Sequence, residues 1–590
     1  MVTAPPRASL AHLITAEDLE VAGIETLAEA LDWVAGATAR IAGQGAARLD
    51  LRGSRQRSSC VLLDGVPVTE PWGGSFDLER IPLAAVSAIE VVPGPPGDPT
   101  VPGCPGGMLH VITRDPLASG GGEARLDAGS GWYTALRAAA STQLGDERDW
   151  GILGSTQLTR RSYTVLPHDF EPMNAEDGGA RELSDSRNLS LLASAAHEGP
   201  SSRLNIGYHG VLDAHGSPPD TSMAPRFQRV QPLHRQQVGL RWALVPRPGL
   251  SLTTTAHGAW MRMDSLRYQD ATAGEQIWEE SIRAGGVGGS TAGRVELERW
   301  LAISLVGAAT AEQADTYEAD AVNEQEQHAT GGDWTAGGGL HFTPWASTRL
   351  DAWTRAYGEG LHDPVLPVGR IELSWRPWTY LGLRANAGRG ARAPTLRERY
   401  DPTRGDPDLR PELADQLELA LAGEHGEWLS WDVAGWAKAA TDAINSPSDG
   451  LPFSNNEPAR YAGVESALLL RPAPWARLRA AHAWTRVLEG TLDHVPAHQI
   501  VAAAHFQLPW RLWLDTDVSW VTERSSGAVM LDPYWIWDMQ LGADLGRGLW
   551  TRVRVDNLLD AQSEDRALSP GSGRCFIVAV GARWWRRGGA

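Results

Sequence analysis

The chain has 590 residues, with 53 Lys plus Arg against 72 Asp plus Glu, a formal charge of −19 and a pI near 5.3. That acidic balance excludes nucleic acid as a partner, because phosphate contacts need a basic face. No run of about 18 apolar residues occurs, which excludes a transmembrane helix. Met1-Val2-Thr3-Ala4 leads straight into polar, proline-rich sequence, so no signal peptide is expected in this chain.

Glycine (64), proline (38) and tryptophan (26) are frequent, and Lys438 is the sole lysine. Cys60, Cys104 and Cys575 lack the CxxC spacing of a metal or redox site. Two readings of them stay open: a Cys60–Cys104 disulfide in an oxidising compartment, or three small half-buried residues.

The first ~120 residues alternate short helical and extended signals. Thr15 caps a helix with Glu17 and Asp18 in its first turn. Thr26 to Val34 places apolar residues at 27, 30, 31 and 34, which is helical spacing. Short strands are predicted at Arg48–Leu51, Val61–Leu63, Ala88–Val92 and Met108–Thr113. Asp64-Gly65 offers a tight turn with positive φ, and Val66-Pro67-Val68 returns as a partner strand. Glu70-Pro71-Trp72-Gly73-Gly74 then reads as an irregular loop. Together these make a small α+β unit.

After Gly120-Gly121-Gly122 the texture changes to alternating segments of about ten residues. In Leu512–Trp520 the even positions are Leu512, Leu514, Thr516, Val518 and Trp520, and the odd ones are Trp513, Asp515, Asp517 and Ser519. Thr551, Val553 and Val555 likewise alternate with Arg552 and Arg554. Further pairs occur at 203–211, 349–357, 370–384 and 427–437. A soluble sandwich face also alternates. This pattern, however, persists for roughly 470 residues, beyond the size of one sandwich. Trp334, Trp345, Trp375, Trp378, Trp428, Trp510, Trp535, Trp550, Trp584 and Trp585 sit at segment ends, as an interfacial girdle requires. In lipid only a closed barrel satisfies every backbone group. At ~20 residues per strand plus loop, the strand number falls in the low twenties, enough for a lumen that holds a plug.

These motifs carry a resemblance. ETLAEALDWVAGA, LDLRGSRQRSSCVLLDGVPV, DLERIPLAAVSAIEVVPGP and GGMLHVITRDP are similar, in order and spacing, to the plug of TonB-dependent outer-membrane receptors. ARAPTLRERYDPTRGDPDLRPEL (391–413), Tyr461-Ala462-Gly463-Val464-Glu465 and Val555–Asp560 with Gly573-Arg574 resemble segments of that family's barrel. The resemblance implies a membrane all-β protein. It consists of a 22-stranded antiparallel transmembrane β-barrel with an N-terminal α+β plug domain in the lumen. Residues 1–8 are then a remnant of the TonB box and linker, 9–118 the plug and 119–590 the barrel.

The function implied is active uptake of a metal chelate, a ferric siderophore or a cobalamin-like compound, across the outer membrane of a Gram-negative bacterium. The compact length leans toward the cobalamin type. The implied partners are outer-membrane lipid, a TonB-type energy-transducing protein and the chelate, with the receptor a monomer. Val2, Thr3 and Ala4 resemble the end of a TonB box, where a partner adds as a strand; a frayed terminus reads the same way. Substrate contacts are expected on plug loops 42–47 and 69–77, at Gln44, Glu70, Trp72, Ser75 and Phe76. Trp72, read as exposed, would stack on a flat ligand; the other reading packs it on the barrel wall.

No catalytic residue, Ser/His/Asp arrangement or paired carboxylate is expected, and no resident cofactor or metal. Asp315 to Glu326 would offer oxygen ligands to a Ca2+ ion, or simply be a solvated loop. His328, His341 and His362 lack ligand spacing. The chain departs from the family where Pro93 replaces an arginine and Pro95, Pro96, Pro99, Pro102 and Pro105 replace a Tyr-Gly, in a loop expected to face the periplasm. Trp585 is followed by five further residues where the family ends on an aromatic. The Pro93 change motivates an alternative: a passive or structural barrel whose plug no longer moves.

Overall fold

A computed structural model describes residues 13–585, apart from 22, 42–45, 97–99, 102, 119, 146, 174–175, 223, 361–363, 379 and 446–450. The N-terminal unit comprises β1 (Leu13–Thr15), α1 (Ala16–Val21), α2 (Leu27–Asp32), β2 (Ala37–Ile41), β3 (Ala47–Leu51), β4 (Ser54–Arg55), β5 (Ser59–Leu63), β6 (Val66–Pro67), β7 (Val86–Pro93) and β8 (Gly107–Thr113). One sheet runs β1-β7-β8-β5-β6 and a second β2-β3-β4. Only β5 and β8 pair in parallel.

Both helices start as the residues dictate. The Thr15 hydroxyl accepts from the Asp18 amide at 3.2 Å and donates to the Asp18 carboxylate at 2.6 Å. Thr26 accepts from the Glu29 amide at 3.2 Å. Leu27, Ala30 and Leu31 then turn into a core with Leu49, Leu51, Val61, Ile89, Val91, Leu109 and Val111. The β5–β6 hairpin turns at Asp64 and Gly65 with φ of 53° and 83°. Both values are positive, as a type I′ turn demands. A Cβ on Gly65 would meet the Arg241 guanidinium at 2.5 Å. The Asp64 carboxylate accepts from the Thr113 amide and hydroxyl, each at 2.8 Å, tying the turn to the end of β8.

From Gly121–Gly129 to Cys575–Arg583, 22 antiparallel strands close into a barrel around this plug. A further short strand, Glu324–Gly331, extends the outer end of Leu301–Asp320 above the ring. Connections alternate. One rim carries turns such as 248–249, 299–300, 346–347 and 547–548, and the other carries loops such as 162–185, 393–411, 442–458 and 557–574. Short turns mark the periplasmic side of such barrels.

The wall alternates as its sequence does. Leu417, Leu419 and Leu421 are 61, 55 and 40 % exposed, whereas Gln416 and Glu418 between them are buried against the plug. Exposed Trp150, Trp300, Trp345, Trp375, Trp378, Tyr380, Trp428, Trp475, Trp510 and Trp584 ring the short-turn rim. Fewer line the other rim, among them Trp132, Trp334 and Trp535, and Trp585 turns inward to lie under the Arg114 guanidinium, 4.7 Å from its ring. Wall height varies as well. Phe227–Arg247, Leu250–Tyr268, Gln276–Glu298 and Leu301–Asp320 have 21, 19, 23 and 20 residues. About 9–11 residues cross the hydrocarbon, so the rest of each stands beyond the membrane as a tall side wall. Among the described residues no helix is long and apolar enough to cross a membrane.

Candidate functional site: the outward face of the plug

The ends of the plug elements can be placed by what they touch. Asp18 pairs with Arg477 at 2.5 Å, and Glu20 pairs with Arg583, near the short-turn rim. Gly53, by contrast, lies against Leu492, and Arg57 pairs with Glu398 at 2.8 Å, both in long loops. The described residues of 40–57, 70–76 and 94–106 therefore lie at the outward end of the plug.

Arginine dominates that surface. Arg40, Arg48, Arg55 and Arg57 are all half-buried and lie close together. Burial, reinforced by Arg57, Arg397 and Arg40 and opposed by Glu70, lowers Arg48 to about 10. Burial and then Arg40 also lower Arg55. Arg40 is neutralised by Asp50 at 2.7 Å and Arg57 by Glu398. Among the described residues neither Arg48 nor Arg55 has a carboxylate in ion-pair contact. In loop 490–497, His494 faces the same cluster; burial, then Arg55 and Arg40, push it down to about 4, so it stays neutral at pH 7.

Barrel loops cover this cup. Loop 393–411 contains α3 (Leu396–Tyr400), whose Thr395 and Glu398 form a reciprocal capping box. Glu398 also reaches Arg392 and the plug's Arg57, at 2.8 Å each. Burial opposes its charge, but these two guanidiniums hold it at about 2. The backbone amide of Arg397 donates to the Trp72 carbonyl at 3.0 Å. Phe453 of loop 442–458 lies between Arg57 and Arg404, each guanidinium 5.5 Å from its ring.

The residues expected to contact substrate are not all free to do so. Glu70 is half-buried in the cup, held by Ser75 through a 3.1 Å hydrogen bond. Trp72 is 3 % exposed, which corrects the expectation of an exposed ring. It packs with Val230, Leu233, Met261, Ile282, Ala284, Ala314, Ala329 and Leu396, because the tall wall and α3 close over it. Ser75 and Phe76 are buried too, Phe76 at 1 % within the plug core. Gln44, Val2, Thr3 and Ala4 lie outside the described residues. The arginine cluster was missed, although 48–57 (RLDLRGSRQR) holds four arginines; that stretch reads as strand and turn.

The proline-rich loop after Pro93 also needs correction. Gly103 lies against Asp333, Pro105 against Gly390, and the Val101 carbonyl accepts from Arg355. All three partners are toward the long-loop rim, so the loop faces outward and not to the periplasm. Pro99 and Pro102 lie outside the described residues. Its anchor is a Cys60–Cys104 disulfide, with Cα atoms 5.5 Å apart, which decides between the two cysteine readings. Cys575 remains a half-buried thiol.

Beneath the cup, buried ion pairs fasten plug to wall. Arg52 is fully buried and reaches Glu465 and Glu418 at 2.6 and 2.7 Å. Glu25 lies among Arg552, Arg137 and Arg125. Burial resists its ionisation, but Arg137, Arg125 and Arg552 keep it far below the usual carboxylate range. Lys438 donates to Ser54.

The fold does bring one Ser/His/Asp set together, against expectation. Ser304 is 2.9 Å from His341 Nε2, and His341 Nδ1 is 2.5 Å from Asp351. Ser304 is 4 % exposed within a continuous strand whose neighbouring amides serve the ladder, so no donors face it for an oxyanion. The set works as a cross-strand polar ladder, like the His505–Asp515 pair. In the acidic outer hairpin, Asp315 is taken by His328, and Asp320 accepts from the Val322 and Asn323 amides. His362 lies outside the described residues. One concavity, of about 990 Å3, is lined by Leu305, Leu340, Ile371 and Leu417 of the wall together with Gln416, Lys438 and Tyr461.

This barrel, plug and rim arrangement has counterparts. The family description "TonB dependent receptor-like, beta-barrel" matches residues 119–558, and "TonB-dependent Receptor Plug Domain" matches 7–108. The chain belongs to the TonB-dependent receptor family. Members are outer-membrane β-barrel receptors of Gram-negative bacteria. The Vitamin B12 transporter BtuB of Vibrio cholerae O395 is 22 % identical over 599 residues, covering 97 % of this chain and 92 % of the relative. BtuB of Photobacterium profundum is 24 % identical over 474 residues, 77 % and 72 % of the two chains. Among solved structures, the siderophore receptor PirA of Acinetobacter baumannii superposes with a TM-score of 0.78 at 14 % identity, covering 98 % of each chain. The ferric enterobactin receptor PfeA of Pseudomonas aeruginosa does so with 0.78 at 16 %, covering 97 % and 99 %.

Proposed function

We propose that this TonB-dependent receptor takes up a bulky anionic metal chelate, of the ferric-siderophore class, bound in the outward cup by Arg48 and Arg55. The observation that carries this is the pair Arg48 and Arg55 at the outward end of the plug, without an ion-pair carboxylate among the described residues, on a chain of net charge −19. Guanidiniums left without carboxylates need an anion, and charge-assisted hydrogen bonds supply both affinity and orientation. A ferric tris-catecholate is an anion of that kind; PfeA is named a ferric enterobactin receptor and PirA a siderophore receptor. Cobalamin carries no comparable negative charge, so the basic cup outweighs the compact length that favours the cobalamin type. Glu70 sets the edge of the cup, and we assign Gln44 a substrate contact from its place in the sequence. We assign to Val2, Thr3 and Ala4, from their resemblance to the end of a TonB box, the attachment of a TonB-type protein, which would add as a strand.

Equilibrium binding by the purified receptor tests this. A ferric tris-catecholate should bind more tightly than cyanocobalamin and weaken as salt rises. Arg48→Ala with Arg55→Ala should weaken it by roughly ten- to a hundredfold, the scale of one or two charge-assisted hydrogen bonds. Tighter cobalamin binding that ignores both substitutions would refute it.

A further inference from the structure

The disulfide divides the plug at a mechanically meaningful place. The described wall contacts made by residues 13–59 lie mostly on one side of the barrel. Asp18 meets Arg477, Glu29 meets Arg554, and Ala35 packs on Ala467, Ala481 and Ala483. Arg52 meets Glu418 and Glu465. These partners lie on strands from Glu412–His425 round to Cys575–Arg583 and on to Tyr133–Leu144.

Residues 61–103 sit on the other side. Ala85 packs on Leu153 and Leu192, Arg80 meets Asp213, Val66 lies against Gly239, and Arg370 donates to the Pro95 carbonyl. The two contact sets meet at Glu412–His425, where Gln416 touches Pro93 and Gly94 and Glu412 touches Ser58. They also meet at loop 393–411, where Glu398 pairs with Arg57 and the Arg397 amide donates to Trp72, and at Tyr133–Leu144, which lies against both Glu25 and residues 83–85. They also differ in kind: the first is dominated by ion pairs, which rehydrate on separation, and the second by apolar and backbone contacts, which do not.

Tension applied at the N-terminus follows covalent bonds. It passes along 13–60, crosses the sulfur pair to Cys104, and leaves through β8 to the barrel at Gly121. The backbone of 61–103 carries none of it. Nor is β5 peeled from β8, because the cross-link joins them where their parallel pairing begins, at Ser59–Gly107. Before the cross-link the loaded path holds β1, which pairs with β7 through three residue pairs, α1, α2, whose Leu27 and Leu31 share the plug core with Val61 and Ile89, and the β2-β3-β4 unit; beyond it the load runs through β8.

We propose that the disulfide makes this a half-removable plug. Pulling withdraws residues 13–59, while 61–103 stays seated with the β5–β8 sheet. The passage opens along the wall bearing Arg477, Arg479, Asp515, Asp517, Arg552 and Arg554, a hydrophilic mixed-charge lining suited to a polar chelate. The identity of the pulling partner rests on the function proposed above; the load path does not.

The full receptor in a bilayer, pulled by an N-terminal handle from its short-turn side, tests this. Wild type should stop yielding once the segment up to Cys60 is extended. Reductant, or Cys60→Ser with Cys104→Ser, should add the 44-residue separation, roughly 15 nm at full extension. Equal extension with and without the sulfur pair overturns the proposal. In a Cys575→Ser background, Ala35→Cys with Ala481→Cys should shorten the release, while Ala85→Cys with Leu153→Cys should leave it unchanged. Shortening by the second pair would show that the 61–103 block moves and would also overturn it. Heat-modifiable migration checks that each variant has folded. No readout uses a solute, so failed chelate binding would count against the proposed function alone.

Discussion

Arg52 holds two wall carboxylates at once, and its removal would take a guanidinium from both. Glu465 has Arg52 as its ion-pair partner, while Glu418 keeps Arg384 and Asn386. Breaking one side of a buried pair costs about 3–5 kcal/mol. Arg52→Ala should therefore loosen the plug in an intact barrel, seen as raised single-channel conductance in planar bilayers with unchanged heat-modifiability. Trp72 follows different physics. Its apolar surroundings predict that Trp72→Ala costs about 3 kcal/mol or more of packing. Faster hydrogen exchange in α3 and in Glu324–Gly331 would register the loss; unchanged exchange there would mean that the ring does not hold the loops down.

At the scale of elements, loop 393–411 is a latch whose strength depends on one carboxylate. Glu398 titrates at about 2 in the folded protein against 4.5 when free. A depressed carboxylate stabilises fully above its unfolded value and loses that contribution as pH falls through the folded one. Exchange protection of α3 should hold from pH 7 to about 5 and disappear as pH falls from about 4.5 toward 2. Glu398→Gln should remove the step and weaken docking at neutral pH. The plug elements were readable beforehand because each has a local cause: Thr15 and Thr26 as caps, Leu27, Ala30 and Leu31 at helical spacing, Asp64-Gly65 at a turn. The burial of Trp72 was not readable. What covers it comes from Leu396 and Ala329, more than 250 residues away, and no local pattern encodes that approach.

For the whole molecule, the barrel was legible because a lipid-facing wall imposes period-two alternation on every strand, as Leu417–Leu421 shows. The basic cup was illegible for the opposite reason. Arg48 and Arg55 come from two plug strands, Arg397 and Arg404 from a barrel loop, and only closure of the ring brings them to one place. The same closure turned a proline-rich loop, read as periplasmic, into part of the outward surface. The tall wall over Phe227–Asp320 and the low opposite side, where Leu549–Asp556 has 8 residues, make the mouth asymmetric. Solute should therefore approach from the low side.

One buried contact turns the receptor into its own reporter. Lys438 carries the chain's only side-chain amine, and Ser54 covers it while the plug is seated. An impermeant amine-reactive reagent should thus find only the N-terminal amine on a resting receptor. Departure of the first plug segment would expose a single second target, whose modification could be counted by mass without engineering the protein.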